Sequence, residues 1–134
     1  MTYDEMVALQ QKTRKRPRGL EHQLQCKMVA WFRMQYPYMR HNLFAVPNGG
    51  KRDAVTAAKL KAEGQLSGVS DLILLKRNKY YGALLIETKT KTGRQSDSQK
   101  DWQSKITQDG YKYVVVRSVE EFVNEVYRYL NDKE

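Results

Sequence analysis

The sequence contains one cysteine, three prolines and no long apolar run. The lone Cys26 excludes a disulfide within the chain and a zinc site built from cysteines, and it fits a reducing compartment. No stretch approaches the roughly 20 apolar residues that a membrane-spanning helix needs. The N-terminus lacks the apolar region of a secretion signal. From these absences we expect an intracellular, cytoplasmic protein.

Acidic residues are also scarce. Fifteen Asp and Glu stand against twenty-four Lys and Arg, which gives a net charge of +9. A surplus of this size favours a polyanionic partner, most commonly nucleic acid, although a merely solubilising surface carries such charge too. The 134 residues are 40% hydrophobic, as is typical of one folded domain with a real core. No glycine-rich phosphate loop occurs in the sequence.

The first nineteen residues differ in character from the rest. Tyr3–Gln11 is compatible with a short helix, and residues 12–18 form a basic run. Such a run stays solvated, and it either lies along phosphates or is a leader without a target. We therefore expect residues 1–19 to be a basic N-terminal arm, flexible or in a subunit contact, and residues 20–134 to be one folded domain.

Apolar periodicity and capping signals predict an α/β domain from Leu20 onward. Helices are predicted from Leu20 to Pro37, over Ala54–Glu63 with Asp53 as N-cap, and after the capping boxes that begin at Ser96 and Ser118. Strands are predicted over Leu43–Val46, Asp71–Lys76, Tyr80–Lys89 and Tyr111–Arg117. The order α-β-α-β-β-α-β-α predicts a mixed β-sheet flanked by helices. The hairpin within it excludes a doubly wound parallel sheet.

Three ionisable residues mark the ends of the two central apolar strands. Asp71 opens the first strand, and Glu87 and Lys89 end the second. Because an antiparallel hairpin brings the start of one strand beside the end of the other, we expect Asp71 and Glu87 to meet at one edge of the sheet. Side chains alternate along a strand, so Glu87 and Lys89 point to the same face. The sequence thus predicts two carboxylates and an ammonium group at one end of the hairpin.

Two adjacent carboxylates repel each other, which favours either protonation or a bound divalent cation. Oxygen ligands on a rigid sheet edge suit Mg²⁺ or Mn²⁺, which also accept oxygens from a substrate phosphate. Lys89 would then orient the attacking water or neutralise charge that develops on the phosphate. The structural alternative is a Glu87–Lys89 ion pair, with Asp71 capping a turn. The three residues together, on a basic domain, favour a catalytic metal site.

Glu21 and Gln99 are two further candidates, and the pattern leaves two interpretations open for each. Glu21 shares a helix face with the apolar Met28 and Phe32, where a carboxylate needs a cation or a hydrogen-bond partner. It either points into the metal site or is solvated at the helix start. Gln99 completes a capping box but shares a face with Trp102, so its amide either only caps the helix or also leans inward.

An ordered set of motifs carries a family resemblance. The set is Gly68-Val69-Ser70-Asp71, Ile86-Glu87-Thr88-Lys89, Gly93 and Ser96 to Gln99, preceded by Glu21, Gln25 and Val46–Arg52 and by Leu60–Gly64. It resembles the motifs of the VRR-NUC nucleases of the PD-(D/E)XK superfamily, whose D…E-x-K core Asp71, Glu87 and Lys89 match. The similarity runs from about Glu21 to Leu130. Ser70 departs from it, because the family usually has Pro before its metal-binding Asp.

The resemblance implies a restriction-endonuclease-like fold and a Mg²⁺- or Mn²⁺-dependent endonuclease that hydrolyses DNA phosphodiester bonds. It implies metal ligation by Glu21, Asp71, Glu87 and the Thr88 backbone carbonyl, with Lys89 and Gln99 assisting catalysis. The resemblance to small stand-alone members of the family further implies a homodimer that favours branched DNA such as four-way junctions. By the same resemblance, the setting is a bacterial or phage-infected cell.

DNA-phosphate contacts are predicted from charge and from nearness to the motif loops. The residues are Lys51, Arg52, Lys59, Lys61, Lys91 and Arg94. A solvated surface is the alternative for each of them. For the whole chain, the alternative is a non-catalytic nucleic-acid-binding module that retains the nuclease fold. The intact Asp, Glu and Lys set argues against that alternative, since binding alone requires none of the three. RNA stays open as the substrate.

Overall fold

A four-stranded mixed sheet lies at the centre of the part of the chain that the computed structural model describes, which is residues 2–5, 19–47 and 53–134. Its strands are β1 (Leu43–Ala45), β2 (Leu72–Leu74), β3 (Leu84–Thr88) and β4 (Lys112–Val116), and they lie side by side in chain order. β1 and β2 are antiparallel, as are β2 and β3, whereas β3 and β4 are parallel. A mixed sheet of this kind confirms the predicted fold class and excludes a doubly wound one.

Four α-helices follow Gly19 within the described residues; three of them pack on the sheet, whereas the second, Ala54–Ala62, buries no side chain. They are α1 (Leu20–Gln35), α2 (Ala54–Ala62), α3 (Asp97–Gln108) and α4 (Val119–Leu130), and a 3₁₀ turn at Pro37–Met39 follows α1. Local signals explain their ends. The Asp53 side chain accepts a hydrogen bond from the Thr56 amide at the start of α2, and Gly64 follows α2 with φ +106°. α3 joins β3 to β4 as the crossover that parallel strands require.

The two faces of the sheet carry separate cores. On one face, α1 and α4 bury the larger cluster, whose members include Phe32, Leu72, Ile86, Phe122 and Tyr129. On the other face, the smaller cluster of Ala83, Leu85 and Tyr113 packs against Trp102 and Ile106 of α3. β3 is buried at every position, as its continuous apolar run predicts. Side chains of β3 therefore alternate between the α1–α4 face and the α3 face.

The connection between β2 and β3 differs from the predicted hairpin. The strands were predicted over Asp71–Lys76 and Tyr80–Lys89, but the ladder pairs only the three residues of β2 with β3. The intervening chain binds the end of α4 instead. Asn78 Nδ2 donates to the Tyr129 carbonyl at 3.0 Å, and the Tyr129 hydroxyl donates to the Lys76 carbonyl. The Tyr129 hydroxyl thus satisfies a backbone carbonyl of the connection that a longer ladder would have used.

The basic run of residues 12–18 and most of the predicted helix Tyr3–Gln11 lie outside the described residues. In the described ranges, no helix combines the length and apolar character that crossing a bilayer requires.

Candidate active site

Strand pairing brings Asp71 and Glu87 together. In the β2–β3 ladder Leu72 lies opposite Ile86, so Asp71, one residue before β2, lies beside Glu87 near the end of β3. Asp71 Oδ2 accepts a hydrogen bond from the Thr88 amide at 2.8 Å. One carboxylate oxygen of Asp71 is thus fixed by the backbone of the next strand. The convergence expected from the sequence is present in the structure.

Glu87 is a buried carboxyl group, with an exposed fraction of only 1%. Its pKa is raised from 4.5 to about 8, first because burial disfavours the charged form, and then because it hydrogen-bonds to Asp71 and is repelled by it. Tyr113 and Lys89 oppose this rise in pKa, by hydrogen bonding and by charge. Without a cation, the raised pKa of Glu87 therefore favours its protonated form at neutral pH.

Gln99 has both of the roles that the sequence left open. It lies in the first turn of α3, where its Oε1 accepts from the Ser96 amide at 2.8 Å and closes the capping box. Its Nε2 donates to Glu87 Oε1 at 2.9 Å. The two ends of one side-chain amide thus fix the start of α3 and one oxygen of Glu87 at the same time.

Lys89 lies on the same side of β3 as Glu87, with 9% of its surface exposed. Its Nζ is 3.9 Å from Glu87 Oε1, which is beyond hydrogen-bonding distance. The ammonium group is near enough to offset the carboxylate charge, but the pair does not form the close ion pair of the structural alternative. A largely buried ammonium group in this position is suited to contact the phosphate of an incoming substrate.

Glu21 is exposed in the first turn of α1. It lines the same open cavity as Asp71, together with Gln25 and Arg33. Its Oε1 lies 3.5 Å from the point where a Cβ on Gly93 would stand, so Glu21 reaches the turn that follows β3. Glu21 thus borders the cavity at the Asp71 end while remaining accessible to solvent.

The donor set fits a hard divalent cation. Asp71 and Glu87 provide two carboxylates whose mutual repulsion a cation would relieve. Within the described ranges, no three His, Cys, Asp or Glu residues form a group close enough to hold a metal, so Glu21 does not complete a cluster with the other two. Thr88 lies between Glu87 and Lys89, is 1% exposed, and its Oγ1 has no hydrogen-bond partner among the described residues. A cation here would leave coordination positions for water and substrate.

Ser70 fixes the segment before Asp71 without the Pro that the resemblance leads one to expect. It is fully buried, and its hydroxyl donates to the Leu72 carbonyl at 3.2 Å. Because this bond spans Asp71, it restrains the backbone that presents the carboxylate. A hydrogen bond therefore restrains the backbone where the family pattern has the ring of Pro.

The predicted phosphate-binding residues fall into three groups. Lys51 and Arg52 lie outside the described residues. Lys59 and Lys61 are exposed on α2, and Lys91 and Arg94 are exposed on the turn after β3.

The turn after β3 is held by Arg117, a residue that the sequence did not single out. Arg117 Nη1 donates to the Thr90 carbonyl at 2.7 Å and to the Gly93 carbonyl at 2.6 Å.

Tyr113 is a second residue that the sequence did not single out. It lies in β4, opposite Leu85 in the parallel ladder, and its hydroxyl donates to Glu87 Oε2 at 3.1 Å. Burial is the first cause that raises the pKa of this hydroxyl above its usual range, and the Glu87 charge adds to it. The only sequence signal was a Tyr within a valine-rich strand, which does not reveal the partner strand or its register.

Comparisons with known proteins identify the family and the fold. The family model described as "VRR-NUC domain" matches residues 4–120. A solved structure titled "VRR_NUC domain protein" superposes with a TM-score of 0.74 at 22% sequence identity, covering 85% of this chain and 90% of that one. At that identity the superposition shows a shared fold. A search of curated proteins finds no match. Since the family model spans most of the sequence, the chain belongs to the VRR-NUC domain family.

Proposed function

We propose that this protein is a Mg²⁺- or Mn²⁺-dependent endonuclease that hydrolyses DNA phosphodiester bonds. Members of its family are nuclease-like, and nuclease domains generally use divalent metals and act on DNA. The observation that carries the proposal is the buried Glu87, which lies beside Asp71 with the Lys89 ammonium 3.9 Å away. A fold that only bound nucleic acid would gain nothing from burying the Glu87 carboxyl group beside a second carboxylate.

In this proposal each residue has a definite task. Asp71 and Glu87 would hold the cation together with the Thr88 carbonyl. Glu21 borders the same cavity, and its side chain would have to turn toward Asp71 to become a further oxygen donor. When bound, the cation supplies Lewis-acid stabilisation of charge on the scissile phosphate. Lys89 neutralises negative charge that develops on the phosphate during attack by water. Gln99 holds Glu87 Oε1 in place at 2.9 Å and keeps the carboxylate oriented.

DNA binding is proposed to come from basic residues of the domain, two of which lie beside this site. Lys91 and Arg94 lie on the turn that follows β3, next to the site, and Lys59 and Lys61 lie on α2. Lys51 and Arg52 complete the proposed set on the basis of their charge. The net charge of +9 supports a phosphate backbone as the partner.

A cleavage panel tests the proposal. Single-stranded, duplex, flapped and four-way DNA are incubated with Mg²⁺ or Mn²⁺, with and without EDTA. Glu87→Gln keeps the shape of the side chain and should abolish cleavage while DNA binding persists. The matched control is Asp109→Asn, an exposed carboxylate-to-amide change ten residues beyond Gln99, roughly 15 Å along the helix. Glu87→Gln cleaving like wild type would refute the site assignment.

Selectivity for branched DNA and homodimer formation are the finer parts of the proposal. Two copies of a domain this small would provide two sites, one for each of the two strands that must be cut to resolve a four-way junction. Light scattering at micromolar concentration tests the assembly, because a mass near 15.7 kDa would refute the dimer. DNA binding without cleavage of any form would favour the non-catalytic module, and cleavage of RNA alone would change the substrate.

A further inference from the structure

We propose that Tyr113 is a positioning residue for Glu87, and that its hydroxyl sets the affinity of this site for divalent cations. The inference rests on the proposed function, because it concerns the carboxylate that we assign to the cation. Tyr113 lies on a different strand from Asp71, Glu87 and Lys89, and no motif of the sequence includes it.

The contacts of Glu87 show why a second donor matters. Gln99 Nε2 donates to Oε1, and the Tyr113 hydroxyl donates to Oε2 at 3.1 Å. Glu87 is 1% exposed, so water does not readily take the place of a missing donor. Two neutral donors, one on each oxygen, fix the plane of the carboxylate. The lone pairs that remain then point in a fixed direction.

The Tyr113 hydroxyl is itself oriented. Gln95 Nε2 lies 3.4 Å from the hydroxyl oxygen and donates to it, and it also donates to Gln103 Oε1 at 2.9 Å. Because the tyrosine oxygen accepts from Gln95, its own proton is directed to Glu87. The Trp102 ring packs edge-on against Tyr113, with ring centroids 6.0 Å apart. Packing and hydrogen bonding thus restrict Tyr113 to the geometry that Glu87 requires.

Removal of the hydroxyl should act on the cation more than on the fold. Tyr113→Phe keeps the ring and its contact with Trp102 but leaves Glu87 Oε2 buried without a donor. The carboxylate is then free to turn toward another partner and loses its fixed orientation. Loss of a donor behind a ligating carboxylate typically weakens metal affinity about 10- to 100-fold. We expect a loss in that range for Mn²⁺.

The experiment measures Mn²⁺ binding by electron paramagnetic resonance in protein without DNA, so the readout does not depend on cleavage. Tyr129→Phe is the matched control, because Tyr129 is also fully buried and its hydroxyl donates to backbone carbonyls between β2 and β3. Both variants lose a buried hydroxyl and should unfold at lower urea concentration. Tyr113→Phe should bind Mn²⁺ about 10- to 100-fold more weakly. Tyr129→Phe should bind it within about twofold of wild type, since it changes no group behind Glu87.

Each outcome decides a separate point. Mn²⁺ affinity in Tyr113→Phe equal to that of wild type would overturn the positioning role and leave the proposed nuclease function intact. An equal loss in Tyr129→Phe would also overturn it, since the effect would then be global. Absence of Mn²⁺ binding by wild type at millimolar concentration would refute the metal site and this inference together. If Tyr113→Phe does not fold, Gln95→Ala decides: a loss of about three- to tenfold supports the role, and wild-type affinity overturns it.

Discussion

Gly68 lies where the chain that leads to Asp71 passes the start of α3. Its replacement tests whether close packing between these two backbone segments holds the site together. Gly68 has φ +91°, and a Cβ added there would stand 2.6 Å from the Ser98 carbonyl carbon and closer still to its oxygen. Gly110 has the same φ of +91° but nothing within 4 Å of its Cβ position. The two glycines therefore separate the cost of the backbone conformation from the cost of the close approach.

The expected magnitudes follow from these two observations. An L residue in the left-handed region costs about 1–2 kcal/mol, and this is the whole effect that we expect for Gly110→Ala. Gly68→Ala adds an overlap with backbone, which does not swing aside as a flexible side chain would. Overpacking costs about 1–3 kcal/mol more, so the unfolding free energy of Gly68→Ala should fall by about 2–5 kcal/mol.

Urea unfolding followed by circular dichroism measures both variants against wild type. The overlap also has a functional consequence, because relief of the contact with Ser98 moves the turn that carries Gln99. Cleavage of the best DNA substrate should therefore fall more than about tenfold in Gly68→Ala, well beyond any effect in Gly110→Ala. Equal destabilisation of the two variants, within about 0.5 kcal/mol, would refute the reasoning from close packing.

Three further perturbations probe the charges around the site. In metal-free protein the folded-state pKa of Glu87, about 8, lies above its ordinary 4.5, so the associated stability is full below that ordinary value and is lost as pH rises through 8. The unfolding free energy of wild type should therefore fall by roughly 2–4 kcal/mol between about pH 5 and pH 9, and that of Glu87→Gln should not. The same fall in both proteins, measured by urea unfolding, would contradict this expectation. Arg117→Ala removes both hydrogen bonds to the turn after β3 and should lower the unfolding free energy by about 1–3 kcal/mol. An unchanged urea midpoint would show that these hydrogen bonds do not stabilise the fold. Replacing Lys91 and Arg94 with Gln should lower the slope of log DNA affinity against log salt concentration by about two, one for each phosphate contact that is lost. Lys105→Gln, on the exposed side of α3, should leave that slope unchanged. Equal slopes for all variants and wild type, measured by fluorescence anisotropy, would exclude Lys91 and Arg94 as phosphate ligands.

Local signals made much of the fold predictable. Ser96 and Ser118 mark the starts of α3 and α4, because capping depends on residues only three positions apart. The reciprocal capping box forms at Ser96, whereas at Ser118 the Glu121 carboxylate accepts from the Arg117 amide instead. The apolar runs of β2 and β3 reflect burial on both faces of the sheet. Their antiparallel pairing follows from the short connection between them. The ends of the strands were less predictable. The connection after β2 binds Tyr129, which lies some fifty positions later in the chain.

The candidate site divides in the same way. The sequence by itself determined that Asp71 and Glu87 meet and that Lys89 lies on the same side of β3 as Glu87. Side chains alternate along a strand, and a short connection pairs consecutive strands antiparallel. Only the tertiary structure decided which donors hold Glu87. Gln99 reaches it from α3 and Tyr113 from β4, and these elements are placed by the packing of helix on sheet. Backbone hydrogen bonding and a short connection pair consecutive strands. A contact between side chains on separate elements depends instead on how the whole core packs.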